Sequence, residues 1–403
     1  MAWTSSQRNA VVAAYLGWTL DAFDYFLMIF LFIDVQKEFG VGDVAVSLPV
    51  MLTLAARPVG AYLFGRLGDR YGRKPILMLN IVAFSVLEAA SGFAPTMTTF
   101  LIVRTLFGVA MGGEWGLGSA LTFETIPVSG RGAVSGLLQA GYPSGFFLAT
   151  LVFREFYDDL GWRWLFVIGA VPSLLVLFIW RGVKESPAWV EQRRHAQPIA
   201  FLPVLKREWK LAVYAMLLMA CFNFFSHGSQ DGYPSDFLKK QHGFDTKTIS
   251  AIVMTLNVGA IFGGVLFGFI SQRIGRRRAI IIAALLALPV IPFWAFGTTP
   301  LVLALSAFCL QISVQGAWGI IPVHLNELSP PEIRATFPGV VYQLGNLLAS
   351  VNLPLQVIIA AHHGGNFGLA MAIVVGTVSV LIALMVTWGP ERKGVAMSEA
   401  QRA

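Results

Sequence analysis

Two copies of one short pattern divide this chain: Gly65-Arg-Leu-Gly-Asp-Arg-Tyr-Gly-Arg-Lys74 and Gly268-Phe-Ile-Ser-Gln-Arg-Ile-Gly-Arg-Arg277. The second copy begins 203 residues after the first, which is half of the 403-residue chain. Glycines match at the first and eighth positions, and basic residues match at the sixth, ninth and tenth. Each copy follows a long apolar run. The pattern therefore predicts a duplicated structure in which each half contributes the same turn.

The apolar runs around these copies are long enough to cross a membrane. Hydrophobic residues make up 56% of the chain and charged residues 13%, against roughly 25% charged in soluble proteins. A spanning helix needs about 20 apolar residues, and backbone groups in lipid must be satisfied within the segment. The composition thus predicts an all-α membrane protein with twelve transmembrane helices. They are expected at about 11–34, 44–65, 75–93, 98–122, 132–153, 163–180, 211–233, 248–271, 279–297, 299–323, 336–361 and 367–388.

The basic residues predict the orientation of these helices. With the N-terminus inside, 21 of the 29 lysines and arginines lie in inner segments and six in outer loops. This asymmetry follows the positive-inside rule, so both termini are predicted to be cytoplasmic in a multi-pass protein of the inner (plasma) membrane. It also accounts for the net charge of +7 without a nucleic-acid partner. The first run is too long and too polar for a cleaved signal peptide and is retained as a helix.

A polar interval divides the helices into two groups of six. It covers 182–210, contains three prolines and mixed charge, and is predicted to be a cytoplasmic linker with a short surface helix at 189–194. The expected organisation is an N-terminal six-helix bundle at 1–181, the linker at 182–210 and a C-terminal six-helix bundle at 211–403. Internal duplication with a binding site between the halves is a recurrent plan among membrane transporters.

The first copy fills every position of the loop signature of the major facilitator superfamily, G-x-L-[GA]-D-[RK]-x-G-[RK]-[RK]. The segment 104–112 resembles that superfamily's helix 4 motif, and 136–145 resembles its helix 5 motif. The resemblance covers the whole chain and implies two pseudo-symmetric six-helix bundles. It also assigns a gating or structural role to Gly65, Asp69, Arg70, Gly72, Arg73 and Arg104. From the residues alone, the basic side chains could equally be topology anchors, and Gln272 leaves the second copy without an acid.

Ionisable side chains at membrane depth are costly and are therefore functional candidates. They are Asp21, Asp24, Arg57, Glu88, Arg104, Glu114, His227 and Asp231. Arg57 lies about 13 Å from the membrane end of its helix at Arg66. Its planar fork suits a carboxylate, although it could instead snorkel to the surface.

The other ionisable residues allow more than one role. Asp24 and Arg104 are at similar depth and are expected to pair, either as part of the mechanism or as a static contact. Asp21, one turn from Asp24, is expected to face solvent from the cytoplasmic side. Glu88 is expected to make a contact between helices, and Glu114 stays open between a structural and a functional role.

Helix 7 carries a polar stripe. Asn223, His227 and Asp231 are spaced i, i+4 and i+8, with Gln230 beside them, so they share a face that must meet a polar cavity. The stretch resembles N-x-x-[ST]-H-x-[ST]-Q-D-x-x-x-T, the signature of the Jen-type lactate and pyruvate permeases in the sialate:proton symporter family. Ser235 replaces only the last threonine. The resemblance implies cavity roles for Asn223, His227, Gln230 and Asp231, for Arg57 on helix 2, and for Gln343 and Asn346 on helix 11.

These features predict proton-coupled symport of a small monocarboxylate such as lactate or pyruvate by alternating access. Arg57 would hold the carboxylate, and the amides of the substrate site would donate hydrogen bonds to it. His227 and Asp231 are the first candidates for the proton site, and Asp24 is the second. The residues expected to bind substrate are Arg57, Asn223, His227, Gln230, Gln343 and Asn346.

Other functions remain open at this stage. A larger organic acid, such as sialic acid or a dicarboxylate, and exchange without protons are the alternatives among transporters. An intramembrane enzyme or a channel is less favoured, because no nucleophile–base or metal-ligand spacing occurs, and Cys221 and Cys309 form no disulfide framework. We expect no cofactor and no metal. The expected partners are a small organic anion, a proton and the lipid bilayer, and the expected state is a monomer.

Overall fold

The computed structural model describes residues 3–41, 43–195 and 201–398. Within these ranges the chain is helical apart from short connections, and no strand occurs. This agrees with the requirement that a membrane-spanning backbone satisfy its own hydrogen bonds.

The helices form twelve successive segments, several of them in two pieces. In chain order they are α1 Ser5–Phe30, extended by Phe32–Phe39; α2 Asp43–Tyr71; α3 Arg73–Gly92; α4 Met97–Met111 with Glu114–Thr125; α5 Arg131–Gln139 with the first part of Gly141–Ile168; α6 the last part of Gly141–Ile168 with Leu175–Gly182; α7 Trp209–Gln230 with Tyr233–Gln241; α8 Thr246–Ile274; α9 Arg276–Leu285 with Ala287–Phe296; α10 Pro300–Trp318 with Ile321–Leu328; α11 Phe337–Ala349 with Asn352–His362; and α12 Phe367–Trp388.

Ten of these segments, counted over the described residues, are long and apolar enough to cross a membrane. The other two are α1 and α6. In α1, Asp21 and Asp24 lower the mean hydropathy of a 26-residue helix that is otherwise long enough to span. The sixth segment is interrupted by a short 3₁₀ turn at Val171–Leu174. α1 falls short in hydropathy and α6 in continuity. Both are nevertheless present as helices at their predicted places in the chain.

The boundary between α5 and α6 is a tight turn at Gly161. Its φ of 74° and ψ of 169° are non-helical and break the helical stretch Gly141–Ile168. A positive φ costs glycine little because it has no Cβ. The two runs predicted at 132–153 and 163–180 are therefore separated as expected. Beyond α6, a helix at Pro187–His195 contains the predicted surface helix, and a second short helix follows at Phe201–Arg207.

Small residues allow two pairs of helices to pack closely. A Cβ at Gly108 would overlap the backbone of Thr53, and a Cβ at Gly112 would overlap the backbone of Arg57. In the same way Gly145 of α5 lies against the backbone of Thr19 in α1. These contacts bring α4 onto α2 and α5 onto α1. The tight packing at Gly112 fixes the position of Arg57 in the membrane interior.

The first signature copy builds an N-terminal charge cluster of Asp69, Arg73, Glu124 and Arg334. Arg73 donates twice to Glu124 at 3.1 Å and lies 3.4 Å from Asp69. Arg334, from the other half of the chain, lies 3.8 Å from Glu124. The Asp69 carboxylate accepts the backbone N–H of Ala335 at 3.0 Å and also the N–H and hydroxyl of the next residue. An acid of the first half thus binds the start of α11.

The second copy builds a C-terminal charge cluster of Gln272, Arg276, Glu327 and Arg131. Arg276 donates to Glu327 at 3.0 and 3.1 Å, and Arg131 from the first half lies 3.8 Å from the same glutamate. Gln272 accepts the N–H of Gly132 at 3.0 Å. The amide thus occupies the place of Asp69 and still joins the two halves. The two clusters close one end of the molecule, here called the signature end.

Candidate functional site

The interior of the first half contains an ion pair between neighbouring helices. Nη2 of Arg57 on α2 donates to Oδ2 of Asp21 on α1 at 2.9 Å, and both side chains are almost completely buried. The expectation that Asp21 faces cytoplasmic solvent is wrong, because the residue is 1% exposed. The sequence indicated no partner for Arg57, whereas the structure shows that Asp21 is its partner. Asp21 neutralises the guanidinium that was predicted to hold a carboxylate.

A second acid lies next to this pair. Glu114 begins the second piece of α4, is 1% exposed, and its Oε2 has no hydrogen-bond partner among the described residues. Gly17 of α1 leaves the space that the Glu114 carboxylate fills, because a Cβ there would overlap it. A cavity of about 10 Å³, close to the size of one water, is lined by Glu114, Ser119 and Trp18 among others. The site therefore holds two acids around one arginine.

Aromatic rings surround Arg57. The guanidinium carbon lies 5.9 Å from the ring centre of Tyr25. Trp18 contacts Tyr142 and Tyr342, with ring centroids 5.7 and 6.3 Å apart. Tyr342 belongs to α11, so the two halves of the chain meet at this ring cluster. Tyrosine rings provide an apolar surface around the guanidinium and also carry hydroxyl groups that can form hydrogen bonds.

The polar stripe of α7 faces this cluster from the second half. Nδ1 of His227 lies 3.2 Å from Oδ1 of Asp231, and the two side chains are 31% and 40% exposed. Asn346 of α11 and the charge of Arg57 are both close enough to act on the imidazole of His227. The structure thus brings together Arg57 of α2, His227 and Asp231 of α7, and Asn346 of α11, which are three helices.

The remaining predicted amides have different surroundings. Nε2 of Gln230 donates to Gln311 of α10 at 2.9 Å, whereas Asn223 donates to the carbonyl of Met219 in its own helix. Gln343 is buried, and its Oε1 has no partner among the described residues. The free acceptor leaves this amide available to a ligand.

Two glutamines of α10 were not predicted. Gln311 donates to Ser229 at 3.1 Å, and Gln315 donates to Ser226 at 3.2 Å. They lie one turn apart within an otherwise apolar run, and that spacing is the signal that could have identified them. Together with α7 they form an amide and hydroxyl network, and the second half therefore presents neutral hydrogen-bonding groups to the site.

A second buried charge cluster lies in the first half, nearer the turn between α3 and α4. Arg104 forms an ion pair with Glu88 of α3 and lies over the ring of Phe107, 4.1 Å from its centre. The expected pair between Asp24 and Arg104 is wrong. Asp24 is fully buried, and neither of its carboxylate oxygens has a hydrogen-bond partner within the described part of the chain.

The gating residues predicted from the signature lie at the signature end. Gly65 packs against Thr336, Asp69 and Arg73 belong to the N-terminal charge cluster, and Gly72 adopts a φ of 114° at the turn into α3. Arg70 is exposed and lies over the ring of Tyr71. Over the described residues, no group of three or more metal-ligating side chains occurs.

Comparison with known proteins identifies transporters. Residues 11–233 match the family model described as Major Facilitator Superfamily, and residues 196–391 match the model described as Sugar (and other) transporter. The sialic acid transporter NanX of Escherichia coli K12 is 28% identical over 94% of this chain and 93% of its own length. A carboxylic acid transporter protein homolog of Saccharomyces cerevisiae is 29% identical over 85% of this chain and 61% of its own length.

The fold is also that of a solved structure. A structure of the proton:xylose symporter XylE superposes with a TM-score of 0.80 over 99% of both chains, at 19% sequence identity. At this identity the similarity concerns the fold alone. It confirms the prediction of twelve helices in two six-helix bundles.

Proposed function

The chain belongs to the major facilitator superfamily, and on this basis we propose that it is a proton-coupled symporter of a small monocarboxylate of the lactate or pyruvate type. Its fold and relatives make it a multi-pass secondary transporter. The buried ion pair between Arg57 and Asp21 is the observation that carries the finer proposal. A guanidinium that is held in place by a carboxylate of the protein is preorganised for the carboxylate of a substrate.

The proposed coupling follows from the charge of this pair. In the empty carrier Asp21 neutralises Arg57, which limits the cost of burying either charge. A proton on Asp21 removes the partner of Arg57 and frees the fork for the incoming carboxylate. The loaded site then holds Arg57, the anionic substrate and a neutral Asp21. Its net charge equals that of the empty site, so both forms can pass through the occluded state.

The second half supplies neutral groups to the rest of the substrate. Asn346, Gln230 and Gln343 are proposed to donate to carboxylate, hydroxyl or keto oxygens, with Asn223 as a further donor. The pair of His227 and Asp231 is partly exposed and is proposed as the relay that carries the proton towards Asp21. This assignment moves the acid that binds the coupling proton from Asp231 or Asp24 to Asp21.

Asp24 has a different proposed role. It shares the region of Arg104 with Glu88, so one guanidinium faces two buried acids. An unpaired carboxylate in an apolar interior is strongly disfavoured in its charged form. We propose that Asp24 is protonated in this conformation and forms a secondary proton site behind the Arg57–Asp21 pair.

A larger organic acid is the second candidate substrate. NanX transports sialic acid by its name, and the ring cluster of Trp18, Tyr25, Tyr142 and Tyr342 offers more apolar surface than lactate can cover. In this case Arg57 would still bind the carboxylate, and the aromatic side chains would contact the body of the substrate.

The orientation and boundaries complete the proposal. The signature end is proposed to be cytoplasmic, with both termini on that side of the inner (plasma) membrane, and the N- and C-terminal charge clusters are proposed to form the cytoplasmic gate. The proposed bundles are 1–181 and 211–403, joined by the linker at 182–210. The protein is proposed to act as a monomer.

Uptake into proteoliposomes tests the function. Labelled lactate, pyruvate and sialic acid are supplied with and without an inward proton gradient. The proposal predicts that lactate or pyruvate accumulates only with the gradient and that a protonophore abolishes this accumulation. Gradient-driven uptake of sialic acid alone would favour the second candidate, and uptake that ignores the gradient would contradict proton coupling.

A further inference from the structure

A basic cavity opens at the signature end, away from the interface between the two halves. It lies where α8 ends, α9 begins and α12 ends, and its volume is about 430 Å³. Its lining combines three basic residues with the apolar side chains of Ile274 and Ile281. The cavity shares no residue with the Arg57 site, so any ligand here has a role other than as transported substrate.

The charges of the cavity are unbalanced. Arg277, Arg278 and Lys393 contribute three positive charges, and Glu391 contributes one negative charge. The two oxygens of Glu391 already accept the backbone N–H groups of Arg276 and Arg277, at 3.2 and 2.9 Å. Arg278 is exposed and has no hydrogen-bond or ion-pair partner in the described part of the chain. A net charge of about +2 therefore remains for an anion.

The basic groups are held in place by backbone carbonyls. Nε of Arg277 donates to the carbonyl of Val386 at 2.8 Å, and Nζ of Lys393 donates to that of Arg273 at 3.1 Å. Carbonyl groups position these side chains without cancelling their charge. The cavity thus combines two fixed cations with one free guanidinium.

The neighbouring surface is apolar and faces outward from the helix bundle. Leu285 of α9 and Leu381 and Leu384 of α12 are exposed, and Trp388 at the end of α12 is 80% exposed. Tryptophan is enriched at the boundary between lipid tails and headgroups. A ligand with an anionic head and apolar chains fits both parts of this surface.

The first half lacks the same feature at the equivalent position. Lys74 corresponds to Arg277, and Glu185 corresponds to Glu391, because each glutamate accepts the N–H groups that begin the next helix. Pro75 in the first half occupies the position of Arg278 in the second half. Pro187 lies two residues after Glu185, at the position that Lys393 occupies after Glu391. The duplication has kept the turn in both halves, but only the second half has the additional cations.

We propose that this cavity binds the headgroup of an anionic phospholipid. The phosphate would contact Arg277, Arg278 and Lys393, and the acyl chains would lie along Leu384 and Trp388. Charge-assisted bonds to phosphate are the strong interactions available to these side chains, and basic pockets at helix ends are suited to anionic lipids. The site is independent of the identity of the transported acid.

Native mass spectrometry of the full chain in detergent tests this site. The protein is titrated with phosphatidylglycerol and with phosphatidylcholine of the same acyl chains. The wild type is expected to retain phosphatidylglycerol at a lipid concentration roughly tenfold lower than the concentration needed for phosphatidylcholine. A tenfold ratio corresponds to a modest difference in binding free energy. The double variant Arg278→Gln/Lys393→Gln should lose this preference. Arg181→Gln/Lys184→Gln, a matched loss of two exposed charges in the first half, should keep it.

Three results would overturn the proposal. The wild type could retain both lipids equally, or the Arg278→Gln/Lys393→Gln variant could keep its preference. Displacement of phosphatidylglycerol by millimolar inorganic phosphate would identify a small-anion site instead. The melting temperature of each variant without added lipid shows whether it is folded. If the double variant does not fold, the titration is repeated with each single substitution.

Discussion

The two halves of this chain share their turns but differ in their interiors. At the signature end, Arg73 pairs with Glu124 in the first half and Arg276 with Glu327 in the second. At mid-membrane the first half contains buried acids and arginines, whereas the second half presents glutamine, asparagine and serine side chains together with His227 and Asp231. Duplication therefore preserved the contacts that join the halves, whereas the buried pairs of an arginine with an acid at mid-membrane, Arg57–Asp21 and Arg104–Glu88, lie in the first half.

This difference suggests a separation between proton coupling and the choice of substrate. Burying a charge is costly unless it is paired, so the proposed coupling of protonation to carboxylate binding belongs to the half with the buried acids and arginines. Neutral amides bind oxygen atoms without changing the net charge, and they can discriminate between substrates of the same charge. We therefore propose that the first half carries the coupling and that the second half carries the choice of substrate.

The largest effect is expected from Arg57→Lys. An ammonium keeps the charge but cannot present the planar fork of the guanidinium. Loss of one charge-assisted hydrogen bond is worth roughly 1.5–3 kcal/mol, which lowers carboxylate affinity about ten- to a hundredfold. Uptake of labelled lactate measures this, with surface expression as the control for insertion. Near-normal affinity would reduce the Arg57–Asp21 pair to a structural contact between α1 and α2.

Asp21→Asn should separate accumulation from exchange. The amide has nearly the same shape but cannot bind the coupling proton, so gradient-driven accumulation is expected to disappear while downhill exchange of substrate continues. Asp231→Asn is the matched variant in the second half and should retain accumulation at a reduced rate. If Asp231→Asn abolishes accumulation and Asp21→Asn does not, the coupling acid is in the second half and the assignment is reversed.

Changes in the amides of α11 should alter the choice of substrate rather than its coupling. Gln343 and Asn346 lie at i and i+3, and Asn346 is near His227. Shortening either residue to alanine is expected to change the ranking of acetate, lactate and pyruvate by a few fold, because one hydrogen bond contributes about 0.5–1.5 kcal/mol. Competition assays measure the ranking, and an unchanged order in both variants would remove α11 from the site.

The smallest effect is expected at the two charge clusters, as a difference between the melting temperatures of two variants. Asp69 accepts three donors with a charged carboxylate, whereas Gln272 uses neutral bonds to Gly132 and Val128. Asp69→Ala should therefore lower the melting temperature in detergent more than Gln272→Ala, since bonds to charged groups are worth about twice as much. Equal shifts would show that the charge of Asp69 adds nothing to the contact.

The sequence predicted the helices and the signature copies because both leave long or repeated patterns. The repeat extends further than the two signature copies indicated. Glu124 and Glu327, and Arg131 and Arg334, are also separated by 203 residues, and in the structure they complete the two charge clusters. This spacing was readable from the sequence, and it also shows why Gln272 can replace an acid without loss of the contact between halves.

The ion pairs could be predicted only in part. Glu88 and Arg104 both lie within about two helical turns of the short turn between α3 and α4, so consecutive antiparallel helices bring them to a similar depth. That argument identifies their pair and corrects the expected pairing of Asp24. The rotation of α1 was not predictable, because its apolar residues extend around the whole helix, and Asp21 was therefore placed on the wrong face. Only the packing of α4 on α2 through Gly112 shows where Arg57 lies.

Proton uptake on substrate binding tests the central claim most directly. Purified protein in weakly buffered detergent solution is mixed with lactate, or with pyruvate, and the proton change is recorded beside binding. The account predicts uptake of about one proton for each carboxylate bound in the wild type, because Asp21 must release Arg57, and none in Asp21→Asn, which should still bind substrate. Binding without proton uptake in the wild type, or unchanged uptake in Asp21→Asn, would contradict it.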